Sequence, residues 1–138
     1  MALTESQLES AFQTELIQEL GRLFPGSLVL KNDANYIQGI PDLLVLWGPS
    51  WAALEVKASA SARHRPNQDY YVEMLDEMSF ACFICPDNKE EVLDALQHAF
   101  RSSRAARVSQ RKQVPLDQLR QRQTHVDMGP SSRRRSRI

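Results

Sequence analysis

Three charged residues interrupt two apolar runs in GIPDLLVLWGPSWAALEVK, residues 39–57: Asp42 heads the first run, and Glu55 and Lys57 stand at the end of the second. Side chains alternate along a strand, so Glu55 and Lys57 point one way while Leu54 and Val56 point the other. The runs PDLLVLW at 41–47 and WAALEVK at 51–57 are joined by GPS and have the shape of a hairpin. In an antiparallel pair the start of one strand lies beside the end of the next, so Asp42, Glu55 and Lys57 can converge. Two carboxylates in such a cluster repel unless a cation sits between them, and oxygen donors at a partly hydrated site favour Mg²⁺ or Mn²⁺ over zinc. A nearby Lys can stabilise charge on a phosphate or position an attacking water. A structural reading competes with this one: charges on the solvent face of a half-buried strand are routine, and an Asp after Pro often marks a turn.

The elements that must position this cluster follow from periodicity. Between Thr4 and Phe24, Leu8, Phe12, Leu16, Leu20 and Leu23 recur at steps of three and four, the spacing of an amphipathic helix. Thr4 with Gln7 forms a capping box at its start, and Pro25-Gly26 ends it. Glu9 falls within the apolar stripe, where a carboxylate is costly unless paired or bound to a metal, which makes it a fourth candidate, with Glu5 and Glu15 behind it. SLVLKN at 27–32 is a first strand and DANYIQG a loop. After the hairpin, small residues and strand breakers run from Ala58 to Arg65, and Pro66 suits the first turn of a second helix, PNQDYYVEMLDEMS. FACFICP at 80–86 is a fourth strand and NKEEVLDALQHAF at 88–100 a third helix. Helix, three strands, helix, strand and helix make an α/β chain with a central mixed sheet flanked by helices.

The formal charge is zero over 138 residues, yet it is sharply divided. Residues 1–100 carry six Lys and Arg against fifteen Asp and Glu, and residues 101–138 carry eleven against two, so −9 is followed by +9. The chain therefore divides into a domain at 1–101 and a basic, flexible C-terminal arm at 102–138, rich in Arg, Gln and Ser and ending SSRRRSRI. Arg104, Arg107, Arg111 and Lys112 are its candidates for nucleic acid phosphates; packing against the acidic body or an acidic partner is the alternative. Lys31, Asn32, Tyr36 and Gln38 before the hairpin, and Arg63, His64 and Arg65 after it, could flank the same backbone. Trp47 and Trp51 either stack on bases, pack the hairpin or form a dimer contact, and Tyr70, Tyr71, Met74, Leu75 and Met78 suit a core or an interface. Cys82 and Cys85 lack the second pair or nearby histidines that zinc requires, so free thiols are expected. No apolar run approaches the ~20 residues that span a bilayer, and MALTESQLES lacks the regions of a secretory signal, so a cytoplasmic protein without a membrane partner is expected.

Asp42 after Pro41, followed by Glu55-Val56-Lys57, resembles the PD-(D/E)xK nuclease signature. Gly39 and Gln68 make the chain similar to the VRR-NUC branch, which is related to Holliday-junction resolvases, and LKNDANYIQGIPDLLVL and SFACFICPDNKEEVL resemble small phage proteins. The resemblance covers about residues 5–100. It implies a restriction-endonuclease-like αβββαβ core and a metal-dependent DNA endonuclease, structure-selective on branched DNA. Asp42, Glu55 and the Val56 carbonyl would bind Mg²⁺, or Mn²⁺ in its place, with Glu9 completing the site. Lys57 would orient the water, and Gln68 would sit beside it. DNA is the implied partner; a homodimer would bring two sites to two strands, and a phage protein would engage the arm. A nucleic-acid-binding or virion-associated assembly protein that keeps the fold is the alternative.

Overall fold

The structure is a computed structural model that describes the backbone of residues 2–113 and the side chains of residues 2–103. Seven elements follow in the order α1 (Glu5–Leu23), β1 (Leu28–Lys31), β2 (Leu43–Trp47), β3 (Ser50–Val56), α2 (Gln68–Met78), β4 (Phe80–Ile84) and α3 (Lys89–Gln113). The four strands form one sheet in the order β1-β2-β3-β4, with antiparallel pairing across β1, β2 and β3 and parallel pairing of β3 with β4. The mixed α/β architecture expected from the sequence is therefore present. The described residues up to Arg104 form one compact unit.

Strand alternation explains the layers. On one sheet face Leu43, Val45, Ala52, Leu54, Val56 and Ile84 pack with Phe12, Leu16 and Leu20 of α1 and with Val92, Leu93, Leu96 and Phe100 of α3. On the other, Ala53 and Ala81 meet Val72 of α2, with Trp51, Leu75 and Phe83 at their margin. Burying each large aliphatic side chain contributes roughly 1.5–3 kcal/mol, so the first face, with the larger cluster, supplies most of the cohesion. Leu28 and Leu30, on the edge strand, stay exposed.

Four local expectations are corrected. Leu8 is 46 % exposed, because the first turns of α1 extend beyond the apolar cluster that begins at Phe12. The hairpin turn is Gly48-Pro49 rather than GPS: Ser50 pairs with Trp47, and Gly48 adopts the positive φ of 60° that a tight turn asks of a glycine. Pro66 precedes α2 instead of entering it, since Asn67 takes a left-handed φ of 71° and the helix starts at Gln68. The third helix does not stop at Phe100; its backbone continues to Gln113 and carries Arg104, Arg107, Arg111 and Lys112 on helix, while the rest of the basic arm lies outside the described residues.

Cys82 and Cys85 are free thiols, and burial, with the charge of Asp76 behind it, pushes Cys82 up to about 12. Trp47 packs the hairpin rather than standing free for a base. Its indole N–H donates to the Pro25 carbonyl at 2.9 Å, and its ring stacks on Phe100 with centroids 5.9 Å apart. No helix among the described residues is long and apolar enough to cross a membrane.

Candidate functional site

The hairpin register sets the site. Leu43 faces Leu54, so one step further Asp42 faces Glu55 across the open end of the β2–β3 pair. Asp42 Oδ2 accepts the Val56 N–H at 2.9 Å, prolonging the ladder with a side chain in place of a main-chain carbonyl. A residue's N–H and C=O lie on the same side of a strand, so the Val56 carbonyl is also turned toward Asp42. Asn32 holds the approach: its side-chain amide donates to the Pro41 carbonyl at 2.8 Å, and its main-chain N–H to the Asp42 carbonyl at 2.8 Å. That role makes Asn32 a positioning residue of the site.

Glu55 and Lys57 are not on a solvent face. They are 2 % and 6 % exposed, because α2 covers this end of β3. Gln68, the first residue of α2, is the link between them. Its Nε2 donates to Glu55 Oε2 at 3.0 Å, while its Oε1 accepts from Lys57 Nζ at 2.8 Å and from the Arg65 N–H at 2.8 Å. Lys57 Nζ also donates to the Arg63 carbonyl at 3.1 Å and lies 3.9 Å from Glu55 Oε2. Two of its three N–H donors are engaged by these hydrogen bonds, and one remains for a ligand. Gly39 locks the loop above: with φ at 92°, its α-carbon lies so close to Asn67 that a Cβ would stand 2.6 Å from the Asn67 Cβ.

Charge is poorly balanced at the centre. Burial, then the charge of Asp42 and a hydrogen bond with it, raises Glu55 to about 9, so Glu55 keeps its proton at neutral pH when no cation is near. Glu55 Oε1 is buried and has no donor facing it. With both carboxyls ionised, only acceptor atoms meet there; a shared proton or a cation makes the approach favourable. Glu9 is also raised, by burial first and the charge of Asp42 second, and it lines the same cleft.

This cleft has a volume of about 510 Å³ and brings together Glu9, Asp42, Glu55, Lys57 and Gln68, with Arg63 and Arg65 at its margin. Among the described residues no three His, Cys, Asp or Glu side chains form a group able to hold a metal. The oxygen atoms that could hold a cation there are those of Asp42, the unpartnered Glu55 Oε1 and the Val56 carbonyl. Magnesium sites commonly take only one or two carboxylates and complete their shell with water and phosphate oxygens, so this set suits Mg²⁺ or Mn²⁺. Glu9 faces the cleft without joining a three-carboxylate cage; Glu5 lines it as well, and Glu15 is exposed farther along α1. Lys31 and Tyr36 are exposed, and Gln38 lines the cleft. His64 has its own partners, Asp69 at 2.7 Å and the ring of Phe83 at 4.0 Å. The side chains of Arg104, Arg107, Arg111 and Lys112 lie outside the described residues.

Comparison of the chain with protein-family models, with curated proteins and with solved structures finds no match.

Proposed function

We propose that the Asp42–Glu55–Lys57 site hydrolyses phosphodiester bonds of DNA with Mg²⁺ or Mn²⁺, as an endonuclease of the PD-(D/E)xK type in its VRR-NUC branch. The observation that carries this reading is the buried Glu55 carboxyl, which faces Asp42 with one oxygen lacking any donor while Lys57 is fixed beside it. A carboxyl pair of this kind opposes folding unless it shares a proton or serves a cation, and a cation held with a lysine is suited to phosphate chemistry.

Asp42, Glu55 and the Val56 carbonyl would hold the cation. When bound, it would polarise the phosphate and lower the pKa of a ligated water. Lys57, held in place by Gln68 and the Arg63 carbonyl, would present its remaining N–H to a phosphate oxygen or the attacking water. Gln68 keeps Lys57 and Glu55 at a fixed separation, and Asn32 holds the Pro41–Asp42 main chain in place. Arg63 and Arg65 offset the charge of the phosphates entering the cleft.

The test is incubation of the full chain with end-labelled duplex, flap, four-way-junction and single-stranded DNA in Mg²⁺, Mn²⁺ or EDTA. Metal-dependent products are expected. Tight binding without cutting in every condition would favour the second reading, a nucleic-acid-binding or virion-associated assembly protein, for which the +9 charge of residues 101–138 is the specific support.

A further inference from the structure

A second cleft adjoins the first. It has a volume of about 880 Å³, is lined by Arg63, His64, Arg65, Asn67, Asp69 and Tyr70, and shares Arg63 and Arg65 with the cleft of Asp42 and Glu55. Its volume falls within the range of sites that enclose small organic groups. The residues they share make the two clefts neighbours.

The lining is more ordered than a solvated loop requires. His64 lies flat against Phe83, with centroids 4.0 Å apart and planes 11° apart, and its Nδ1 is 2.7 Å from Asp69 Oδ1. These interactions fix the imidazole and leave Nε2 for a ligand; they also pair one of the two carboxylates at the cleft, the other being Glu5 on the shared rim. Tyr70 is 61 % exposed, and its ring meets that of Tyr71 at 76°. An aromatic ring so exposed, set beside two guanidinium groups and an anchored imidazole, matches the two halves of a nucleotide: a flat base and a phosphate.

We propose that this second cleft takes an unpaired nucleotide of the DNA strand held at Asp42 and Glu55, with Arg63, Arg65 and His64 on its phosphate and Tyr70 stacked on its base. The assignment rests on the phosphodiester reading for the position of the reacting phosphate. A base inside a continuous duplex has both faces covered by its neighbours and cannot stack on Tyr70, so the cleft selects DNA with a single-stranded nucleotide next to the phosphate in the first cleft. Tyr70 and His64 are thus specificity-determining residues.

The test is binding in EDTA, which needs no cleavage, by the full chain and by Tyr70→Ala and Tyr70→Phe. Two probes are used: a continuous duplex, and the same duplex bearing a short unpaired arm that contains 2-aminopurine. The armed probe is expected to bind more tightly, with its fluorescence quenched by stacking. Tyr70→Ala should weaken armed binding on the order of tenfold and relieve the quench, with duplex binding unmoved and Tyr70→Phe like wild type. Equal losses on both probes, or no loss and no quench on the armed one, would overturn the assignment. A chain that shows the preference yet cuts nothing loses the nuclease reading and keeps the cleft; one that cuts without the preference keeps the reading and loses the cleft.

Discussion

Replacing Glu55 by Gln should make the metal-free protein more stable, and only at neutral and alkaline pH. In the folded chain Glu55 sits at about 9 rather than at its ordinary 4.5, chiefly through burial and then through Asp42. Between these two values the folded chain binds a proton that the unfolded chain has released. The stability linked to that proton is fully present below pH 4.5 and is lost as pH rises toward 9. At pH 7 the gap from 4.5 is 2.5 pH units, which at ~1.4 kcal/mol per unit is on the order of 3 kcal/mol. Gln has the shape of the protonated acid and nothing to ionise; its carbonyl can accept from Gln68, and its amide can donate to Asp42. Glu55→Gln should therefore gain up to about 3 kcal/mol at pH 7, or roughly 15 °C in Tm for a unit of this size, and nothing near pH 4.5. Thermal and urea unfolding in EDTA across this pH range would measure it. A Gln variant less stable than wild type at pH 7, or a difference that does not change with pH, would refute the reasoning. Added Mg²⁺ should stabilise wild type and leave the variant unmoved, since only wild type regains a ligand.

Other substitutions probe the supports of the site. Gly39→Ala places a Cβ 2.6 Å from that of Asn67 at a φ of 92°, and should cost about 2–4 kcal/mol in chemical unfolding, with the site disturbed through the 66–67 loop. Gln68→Ala removes the three hydrogen bonds that join Glu55, Lys57 and Arg65; a loss of about 3 kcal/mol is expected by urea titration, together with cleavage reduced about a hundredfold. Ending the chain after Arg104 should weaken DNA binding and flatten its salt dependence, by about one unit of slope for each phosphate no longer neutralised, in anisotropy titrations over a salt series.

The convergence of Asp42, Glu55 and Lys57 is legible in the sequence because period-2 alternation and a short hairpin leave few registers, and the observed pairing of Leu43 with Leu54 sets Asp42 opposite Glu55. The capping box at Thr4 and Gln7 is legible for a similar reason, since both of its bonds are local. Features that depend on neighbours distant in sequence are not. Pro66 has the look of a first-turn proline, yet the close approach of Gly39 to Asn67 accompanies a left-handed Asn67 and a helix that begins one residue later, at Gln68. Asn32 also holds the Pro41–Asp42 main chain, a role hidden in the sequence because a strand-ending Asn gives no local sign of a partner nine residues away. The burial of Glu55 and Lys57 is hidden too, because a charged pair on one strand face reads as solvated until a helix is placed over it. Of the two readings of Tyr70, core and interface, its 61 % exposure at the second cleft excludes the core.

The central claim is that the buried carboxylate pair and the lysine beside it cut DNA. Its most direct test is single-turnover cleavage of a labelled branched DNA in Mg²⁺ by wild type and by Lys57→Ala, with binding of both measured in EDTA. Metal-dependent cleavage that falls by at least about a hundredfold in Lys57→Ala, with affinity held within a few-fold, is the predicted result. Equal cleavage by the two proteins, or no cleavage by wild type on DNA that it binds, would contradict it.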